Sequence, residues 1–244
     1  IVKWIRGDQT EDCTPKSYTK IILNFLKQNK LCQVIGGTGS PWRKNQWIKG
    51  PFWQSCIDVK NTQDLIDEGW LVPIKWGQPE SEYDYSSIQH DYSGNEDLNE
   101  SELEEIAIQD ETLTHKIMRE VIFNSQNRKG VLIFCAGKHH LKEAKNGLIS
   151  AGISEDNIGI ITDSTGYQTR KEILDRAKEG RCKYVLNIGV LTTGVNIPRW
   201  DHIVLLRPMG SVVMFTQAVG RVLRLFEEEG FKKVDALVSD YAGC

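Results

Sequence analysis

The chain has 244 residues, with 40% hydrophobic and 26% charged side chains and a formal net charge of −3, which is typical of a globular protein. No apolar run approaches the length of a membrane span and no secretory signal opens the sequence, so neither membrane insertion nor secretion is expected. The six cysteines are scattered without a CxxC pair, which disfavours metal binding and disulfides and predicts a reducing, cytoplasmic location. Because the first residue is Ile1 and not Met, we expect a fragment of a longer protein.

Residues 1–75 are predicted to be the end of a domain. A helix near Ser17–Asn29 leads to a short strand, Cys32–Ile35, which stops at two glycines. A single strand with one or two helices cannot close a core, so the earlier part of this domain is expected to lie upstream.

Residues 76–112 form an acidic segment that we interpret as a linker. From Trp76 to His115 there is no Lys or Arg, but there are twelve Asp or Glu residues. Outside this stretch 30 basic residues face 21 acidic ones, so the rest of the chain is basic enough to meet phosphates. A solvated spacer is the favoured interpretation, and acidic mimicry of nucleic acid is an alternative that no particular residue supports.

Residues 113–244 alternate short apolar runs with amphipathic segments. The predicted strands are Val131–Cys135, Ile158–Ile161, Tyr184–Ile188, His202–Leu206 and Ala236–Val238. The predicted helices are Leu113–Ser125, His139–Ser150, Thr169–Lys178 and a last helix after Ser211. This order specifies an α/β fold, a doubly wound parallel sheet with helices on both faces. Ligands bind such sheets beyond the carboxyl ends of the strands, so chemistry is expected around residues 189–224.

The last predicted helix carries two arginines behind a glycine. With Ser211 as its N-cap, its buried face is predicted from residues at helical spacing: Val212, Phe215, Val219, Val222 and Phe226. A different stripe is formed at i, i+4 and i+7 by Gln217, Arg221 and Arg224. Guanidinium groups fork onto phosphate oxygens, so this stripe is suited to gripping a phosphate chain. Two solvated arginines on a surface helix would give the same local pattern.

Taken in order, the motifs resemble the second half of a superfamily 2 helicase or translocase. Thr38 to Arg43 resembles the third motif of that family, Phe134-Cys135 the fourth, Thr192-Thr193-Gly194 with Asn196 the fifth, and Gln217, Gly220, Arg221 and Arg224 the sixth. Gly50-Pro51-Phe52 and the segment from Leu65 to Pro73 are similar to RadD-like DNA-repair helicases in particular. The resemblance covers nearly the whole chain except the acidic segment. It implies a second RecA-like lobe in residues 113–244 and the end of a first RecA-like lobe in residues 1–75.

The resemblance also implies roles for individual residues. Arg224 takes the place of the arginine finger, Arg221 binds the same phosphates, and Gln217 orients water or couples the site to the nucleic-acid surface. The residues that would couple the ATP site to the rest of the motor are Gly194, Asn196, Gly220, Thr38 and Ser40. The residues that would contact nucleic-acid phosphates are Thr192, Thr193, Lys138 and His139, with His140 beside them.

Three departures from the family pattern bear on catalysis. Position 196 is Asn where the family usually has Asp, and position 218 is Ala where many relatives have Arg. The sequence also contains no GxxxxGK[ST] loop and no Asp-Glu pair of the nucleotide-binding half. ATP and Mg²⁺ would therefore be bound mainly by a first lobe of the same polypeptide, and this chain alone is expected to be inactive.

The favoured interpretation is a fragment of an ATP-dependent DNA helicase or translocase, with RNA as the alternative partner. Two other functions stay open: a duplex-DNA translocase subunit of a restriction complex, and a non-catalytic nucleic-acid-binding module with the same fold. No metal ligands are expected in this chain, and Asp163 and Asp201 are expected to cap loops.

Overall fold

The computed structural model describes residues 2–4, 24–29, 34–36, 42–43, 46–47, 55–56, 60–88, 98–191 and 194–243. The chain divides into two compact units, Ile1–Asp64 and Leu65–Cys244. Among the described residues, no helix is long and apolar enough to cross a membrane.

The described part of the first unit contains short antiparallel strands. Val2–Trp4 lies between Val34–Gly36 and Ser55–Cys56, and Trp42–Arg43 pairs with Gln46–Trp47. Of the strand predicted at Cys32–Ile35, Val34 and Ile35 are observed in a strand, and the first two residues lie outside the described part of the chain. Residues 24–28 are helical, within the helix predicted at Ser17–Asn29.

The second unit is built on a six-stranded sheet whose neighbouring strands are all parallel. Numbered in chain order, its strands are β1 Ile74–Trp76, β2 Val131–Phe134, β3 Ile158–Ile161, β4 Tyr184–Asn187, β5 His202–Leu205 and β6 Ala236–Asp240. Their order across the sheet is β1-β6-β5-β2-β4-β3. The α/β fold and the five strands predicted after residue 113 are confirmed, and every residue of β2, β4 and β5 is buried.

Among the described residues, one helix spans the boundary between the two units and five lie within the second unit. They are α1 Thr62–Asp67, α2 Glu100–Ile108, α3 Glu111–Asn124, α4 Lys138–Ser150, α5 Tyr167–Glu179 and α6 Val212–Val219. The side chain of Asp110 caps α3 by accepting from the Leu113 N–H at 3.0 Å. Gly180, with φ of 81°, ends α5 in the left-handed conformation that glycine adopts readily. A 3₁₀ turn, Glu155–Asn157, precedes β3, and a short hairpin, Glu227–Glu228 with Phe231–Lys232, precedes β6.

The sheet has a hydrophobic cluster on each face. Ile133, Leu186 and Val204 belong to one cluster, while their strand neighbours Leu132, Val185 and Ile203 belong to the other. Successive strand residues point to opposite faces, so this division shows that both faces are covered.

The segment expected to be an acidic linker contributes to the second unit. Strand β1 pairs with β6, and the chain after it places Tyr83, Tyr85 and Ile88 in the core, each at most 8% exposed. Helix α2 adds two fully buried residues, Leu103 and Ala107. Tyr83, Tyr85, Ile88, Leu103 and Ala107 all belong to one hydrophobic cluster, so these parts of the acidic segment pack against the second unit.

Candidate functional site

The carboxyl edge of the sheet carries a cleft of about 840 Å³. Its walls include residues that follow three strands within a few positions: Gly137 and Lys138 after β2, Ile188 to Val190 after β4, and Arg207 after β5. Helix α2 contributes Glu100 and Glu104 to the same cleft. The loops after β4 and β5 therefore line one cleft at this edge, and helix α2 adds two acidic side chains to it.

Helix α6 is shorter than predicted. It begins after Ser211, whose hydroxyl accepts from the Met214 N–H at 3.2 Å as expected of an N-cap, but it ends at Val219. Arg221 and Arg224 therefore lie beyond the helix, and the predicted helical stripe with Gln217 is wrong. Val212 is also 73% exposed, so its assignment to a buried face is wrong, whereas Val219 and Val222 are buried as expected.

The early end of α6 has a local and a long-range cause. Glycine disfavours the helix interior, and Gly220 is the first residue after the helix. Beyond it the backbone pairs elsewhere: the Val72 N–H donates to the Leu223 carbonyl at 2.9 Å, and Leu71 forms a bridge with Arg224. Burial of Val222 and Leu223 in the core favours this path over further helix.

The two arginines nevertheless meet the loop that resembles the fifth motif. The Nη1 atom of Arg221 donates to the Val195 carbonyl at 2.5 Å, and Nη1 of Arg224 donates to the same oxygen at 3.2 Å. Arg224 Nη1 also donates to Oδ1 of Asn196. An amide at position 196 therefore orients Arg224, although the charge of the more usual aspartate is missing.

Lys233 joins this arrangement from the segment before β6. It is 3% exposed, and its ammonium group donates to the carbonyls of Pro198 at 3.0 Å, Trp200 at 2.7 Å and Arg224 at 2.9 Å. These bonds tie the backbone of Arg224 to the loop that carries Val195. No sequence pattern around Lys233 distinguishes it from the neighbouring charged residues, so sequence reasoning missed it.

Positive charge is concentrated at this point. Burial, and then the neighbouring charge of Arg224, lower the pKa of Arg221 below its usual value. Burial lowers the pKa of Lys233 to about 8, while Asp201 opposes this shift. The site therefore keeps close cationic groups together, and a bound anion would relieve their mutual repulsion.

Helix α4 presents Lys138 and His139 at the cleft. Both side chains are exposed, and Nζ of Lys138 lies 3.9 Å from Oδ1 of Asp163, an exposed pair of little energetic weight. His140, by contrast, is fully buried: its Nδ1 accepts from the Ala136 N–H at 3.2 Å and its Nε2 lies 2.9 Å from the Tyr83 hydroxyl. The interpretation of His140 as a phosphate contact is wrong because its ring is used in the core.

The other predicted site residues fall into two groups. Gln217 is half-buried on α6, Gly220 follows that helix, and Gly194 has φ of 75°, as expected for a sharp turn. The residues outside the described part of the chain are Thr38, Ser40, Thr192 and Thr193.

The two acidic loop residues act on backbone groups. The buried Asp201 carboxylate accepts from the N–H groups of Lys129 at 2.9 Å and Gly130 at 3.0 Å, and burial raises its pKa. Exposed Asp163 accepts from the Ser164 N–H at 2.8 Å. Both carboxylates therefore cap loops.

A parallel six-stranded sheet with helices on both faces and charged loops at its carboxyl edge defines the second unit as a RecA-like α/β lobe. Residues 113–226 match the model of the helicase conserved C-terminal domain. This part of the chain therefore has the sequence features and the fold of the C-terminal RecA-like lobe of superfamily 2 helicases. The narrower resemblance to RadD-like helicases stays a prediction.

Two yeast proteins are similar to most of the chain. IRC3 of Saccharomyces cerevisiae, named as an ATP-dependent helicase, is 24% identical over 222 residues, which are 89% of this chain and 31% of IRC3. The irc3 protein of Schizosaccharomyces pombe, named as a mitochondrial ATP-dependent helicase, is 26% identical over 241 residues, 96% of this chain and 37% of that protein. The chain thus spans about a third of the length of these relatives.

A solved structure has a similar fold. It is a fragment named as an HsdR subunit of a type I restriction enzyme from Vibrio vulnificus YJ016, with a TM-score of 0.56 and 24% identity over 74% of this chain and 34% of that one. At this level of identity the likeness concerns the fold alone.

Proposed function

We propose that this chain is part of an ATP-dependent DNA helicase or translocase, in which Arg224 is the arginine finger of an ATP site between two RecA-like lobes. The observation that carries the proposal is the shared acceptor, the Val195 carbonyl, to which Arg221 and Arg224 both donate. It joins the segments that resemble the fifth and sixth helicase motifs into one cationic group.

The hydrogen bonds that orient Arg224 support a role in stabilising a phosphate group. Its acceptors, the Val195 carbonyl and Oδ1 of Asn196, are neutral oxygens. These bonds orient the guanidinium without cancelling its charge, so it can still stabilise negative charge that develops on a transferred phosphoryl group. Aspartate at position 196 would hold the group more tightly but would compete with the phosphate.

The chemistry of this chain fits one side of a nucleotide site. Guanidinium groups bind phosphate oxygens in a fork, whereas the P-loop lysine and a carboxylate for Mg²⁺ do not occur in the sequence as a recognisable motif. The phosphates of ATP, with Mg²⁺, would be bound by a first lobe of the same polypeptide. ATP and Mg²⁺ supply the phosphoryl chemistry there, and Arg221 and Arg224 would contribute positive charge from the second lobe. This chain alone should not hydrolyse ATP.

Nucleic acid would bind along the carboxyl edge. Lys138 and His139 are exposed at the N-terminus of α4, where backbone N–H groups and the helix dipole favour an anion. Thr192 and Thr193 would contact phosphates of the same nucleic acid, and we propose DNA as the partner. We also propose a role in DNA repair, which the RadD-like resemblance supports, and a cytoplasmic location, which the cysteine content supports. The S. pombe relative is named mitochondrial.

The test is Arg224→Ala in the intact protein that contains both lobes. If Arg224 is the finger, DNA-stimulated ATP turnover should fall by about 10³-fold or more, while binding of a non-hydrolysable ATP analogue changes little. Arg224→Lys keeps the charge but loses the fork, so it should restore only a small part of the turnover. The matched control is Arg181→Ala, which removes an exposed guanidinium paired with Glu179.

Each outcome is decisive. Turnover by Arg224→Ala close to that of the unmodified protein would reject the finger assignment. Nucleic-acid binding by an unmodified protein that never hydrolyses ATP would instead support the non-catalytic module. A thermal melt of each variant separates loss of turnover from loss of folding.

A further inference from the structure

Helix α2 places a carboxylate on the N-terminus of α4. Oε1 of Glu104 accepts from the backbone N–H of His139, and the His140 N–H lies 3.4 Å from the same oxygen. The carboxylate is negatively charged and accepts from backbone N–H groups, as a phosphate group bound at this position would.

The cap of α4 comes from a distant residue, unlike the caps of α2, α3 and α6, whereas α5 also begins after a glycine, Gly166, and has no side-chain cap. Helices α2, α3 and α6 are capped by the side chain of the residue just before them: Asn99, Asp110 and Ser211. The N-cap of α4 is Gly137, which has no side chain to offer, and the cap comes from a residue 35 positions away from His139. A Cβ atom at Gly137 would lie 2.3 Å from Cδ of Glu104, so the missing side chain is what admits an anion at this place.

A second acidic residue faces a second cation in the same cleft. Arg207 is only 4% exposed, lines the cleft, and has Nη1 3.5 Å from Oε1 of Glu100. Glu100 and Glu104 are four residues apart on a helix and therefore lie on one face. The buried residues of α2, Leu103 and Ala107, keep that face over the cleft.

We propose that α2 is an internal competitor of nucleic acid, in which Glu104 and Glu100 occupy the positions of backbone phosphates at the N-terminus of α4 and near Arg207. This inference rests on the proposed nucleic-acid track over Lys138 and His139 and adds its regulation. DNA binds at this position when the glutamate side chains turn aside, while Leu103 and Ala107 hold the helix in place. The acidic segment thus lowers the affinity of the lobe for DNA.

The test compares two glutamates of the same helix in the intact protein. Glu104→Gln removes the charge at the cleft, and Glu105→Gln removes an equal charge from an exposed position one residue away. The affinity for a single-stranded DNA oligonucleotide is measured by fluorescence anisotropy at fixed salt. We expect Glu104→Gln to bind about fivefold more tightly, as the interaction of one charge with a helix terminus allows, and Glu105→Gln to stay within about twofold of the unmodified protein.

Inorganic phosphate provides an arm that does not depend on DNA. If Glu104 fills an anion position, phosphate should raise the melting temperature of Glu104→Gln more than that of Glu105→Gln or the unmodified protein. Phosphate stabilisation of Glu104→Gln without tighter DNA binding would show a free-phosphate site and overturn the proposal for DNA.

The remaining outcomes separate this inference from the proposed function. Weaker or unchanged DNA binding by Glu104→Gln would show that Glu104 is only a helix cap. Equal gains in affinity by both variants would show that the net charge of the protein, and not the position of Glu104, controls DNA binding. In those cases the helicase proposal would stand. Failure of the unmodified protein to bind DNA or hydrolyse ATP would reject the proposed function itself.

Discussion

Two buried histidines should make the second unit sensitive to mild acid. Nδ1 of His140 accepts a hydrogen bond from the Ala136 N–H, which can only donate, so the ring is neutral and its Nε2–H faces the Tyr83 hydroxyl. His202 is also fully buried, with Nε2 2.9 Å from Oγ of Ser239. Burial lowers the pKa of His140 to about 3 and, with the charges of Arg128 and Lys183, that of His202 to about 3.

The direction of the pH dependence of stability follows from which state, folded or unfolded, is protonated first. As pH falls below 6.5, the ordinary pKa of histidine, the unfolded chain binds protons. The folded chain does not bind them until pH approaches about 3. The stability is therefore fully present above pH 6.5 and is lost progressively below it. At about 1.36 kcal/mol per pH unit, each histidine costs about 2 kcal/mol by pH 5, or about 4 kcal/mol together. This is a large share of the roughly 5–15 kcal/mol that stabilises a typical domain.

Urea unfolding followed by circular dichroism at pH 7 and pH 5 measures this difference. In His140→Gln the difference between the two pH values should shrink by about 2 kcal/mol, whatever the stability of the variant at pH 7. His139→Gln removes the exposed neighbouring imidazole and should leave the difference unchanged. Equal stabilities at pH 7 and pH 5, or the same reduction in both variants, would refute the assignment of neutral buried rings.

Two further changes test the contacts that organise the site and the acidic segment. Lys233→Met leaves three backbone carbonyls without their donor, including that of Arg224, and should lower the free energy of unfolding by about 3 kcal/mol, whereas exposed Lys232→Met should have little effect in the same urea titration. Tyr83→Phe removes the hydroxyl that accepts from His140 and should cost about 1–2 kcal/mol. The double variant Tyr83→Phe/His140→Gln should lose less stability than the sum of the two single variants. Additive losses would contradict a direct bond between the two side chains.

The strands were predictable because their sequence signal is local and strong. Runs such as Val131–Phe134 and Tyr184–Asn187 are fully buried on both faces, and such runs read as continuous apolar stretches. The convergence of loops at the carboxyl edge then follows from the parallel order of the strands. Fold and general location of the site are therefore accessible from sequence.

The packing of the acidic segment could not be predicted because its average composition does not reveal its few buried residues. Tyr83 and Tyr85 stand among acidic side chains, yet both rings are buried, and Nε2 of His140 and the Leu206 carbonyl meet their hydroxyls at 2.9 and 2.8 Å. These partners are 57 and 121 residues away, so no local sequence pattern predicts them. Tertiary hydrogen bonds of this kind can be recognised only after the fold is known.

Arg221 and Arg224 converge on Val195 for a topological reason. After β4 the chain must return from the carboxyl edge to the amino edge before β5 can begin, and the chain between β5 and β6 must make the same return. The two return segments pack side by side, since Val195 and Ile197 share one hydrophobic cluster with Val222 and Leu223. Lys233 then bonds to carbonyls of both segments. The arginines are thus positioned by the backbone of two crossing loops and not by helical spacing, so loss of Lys233 should displace Arg224 even though its own side chain is unchanged.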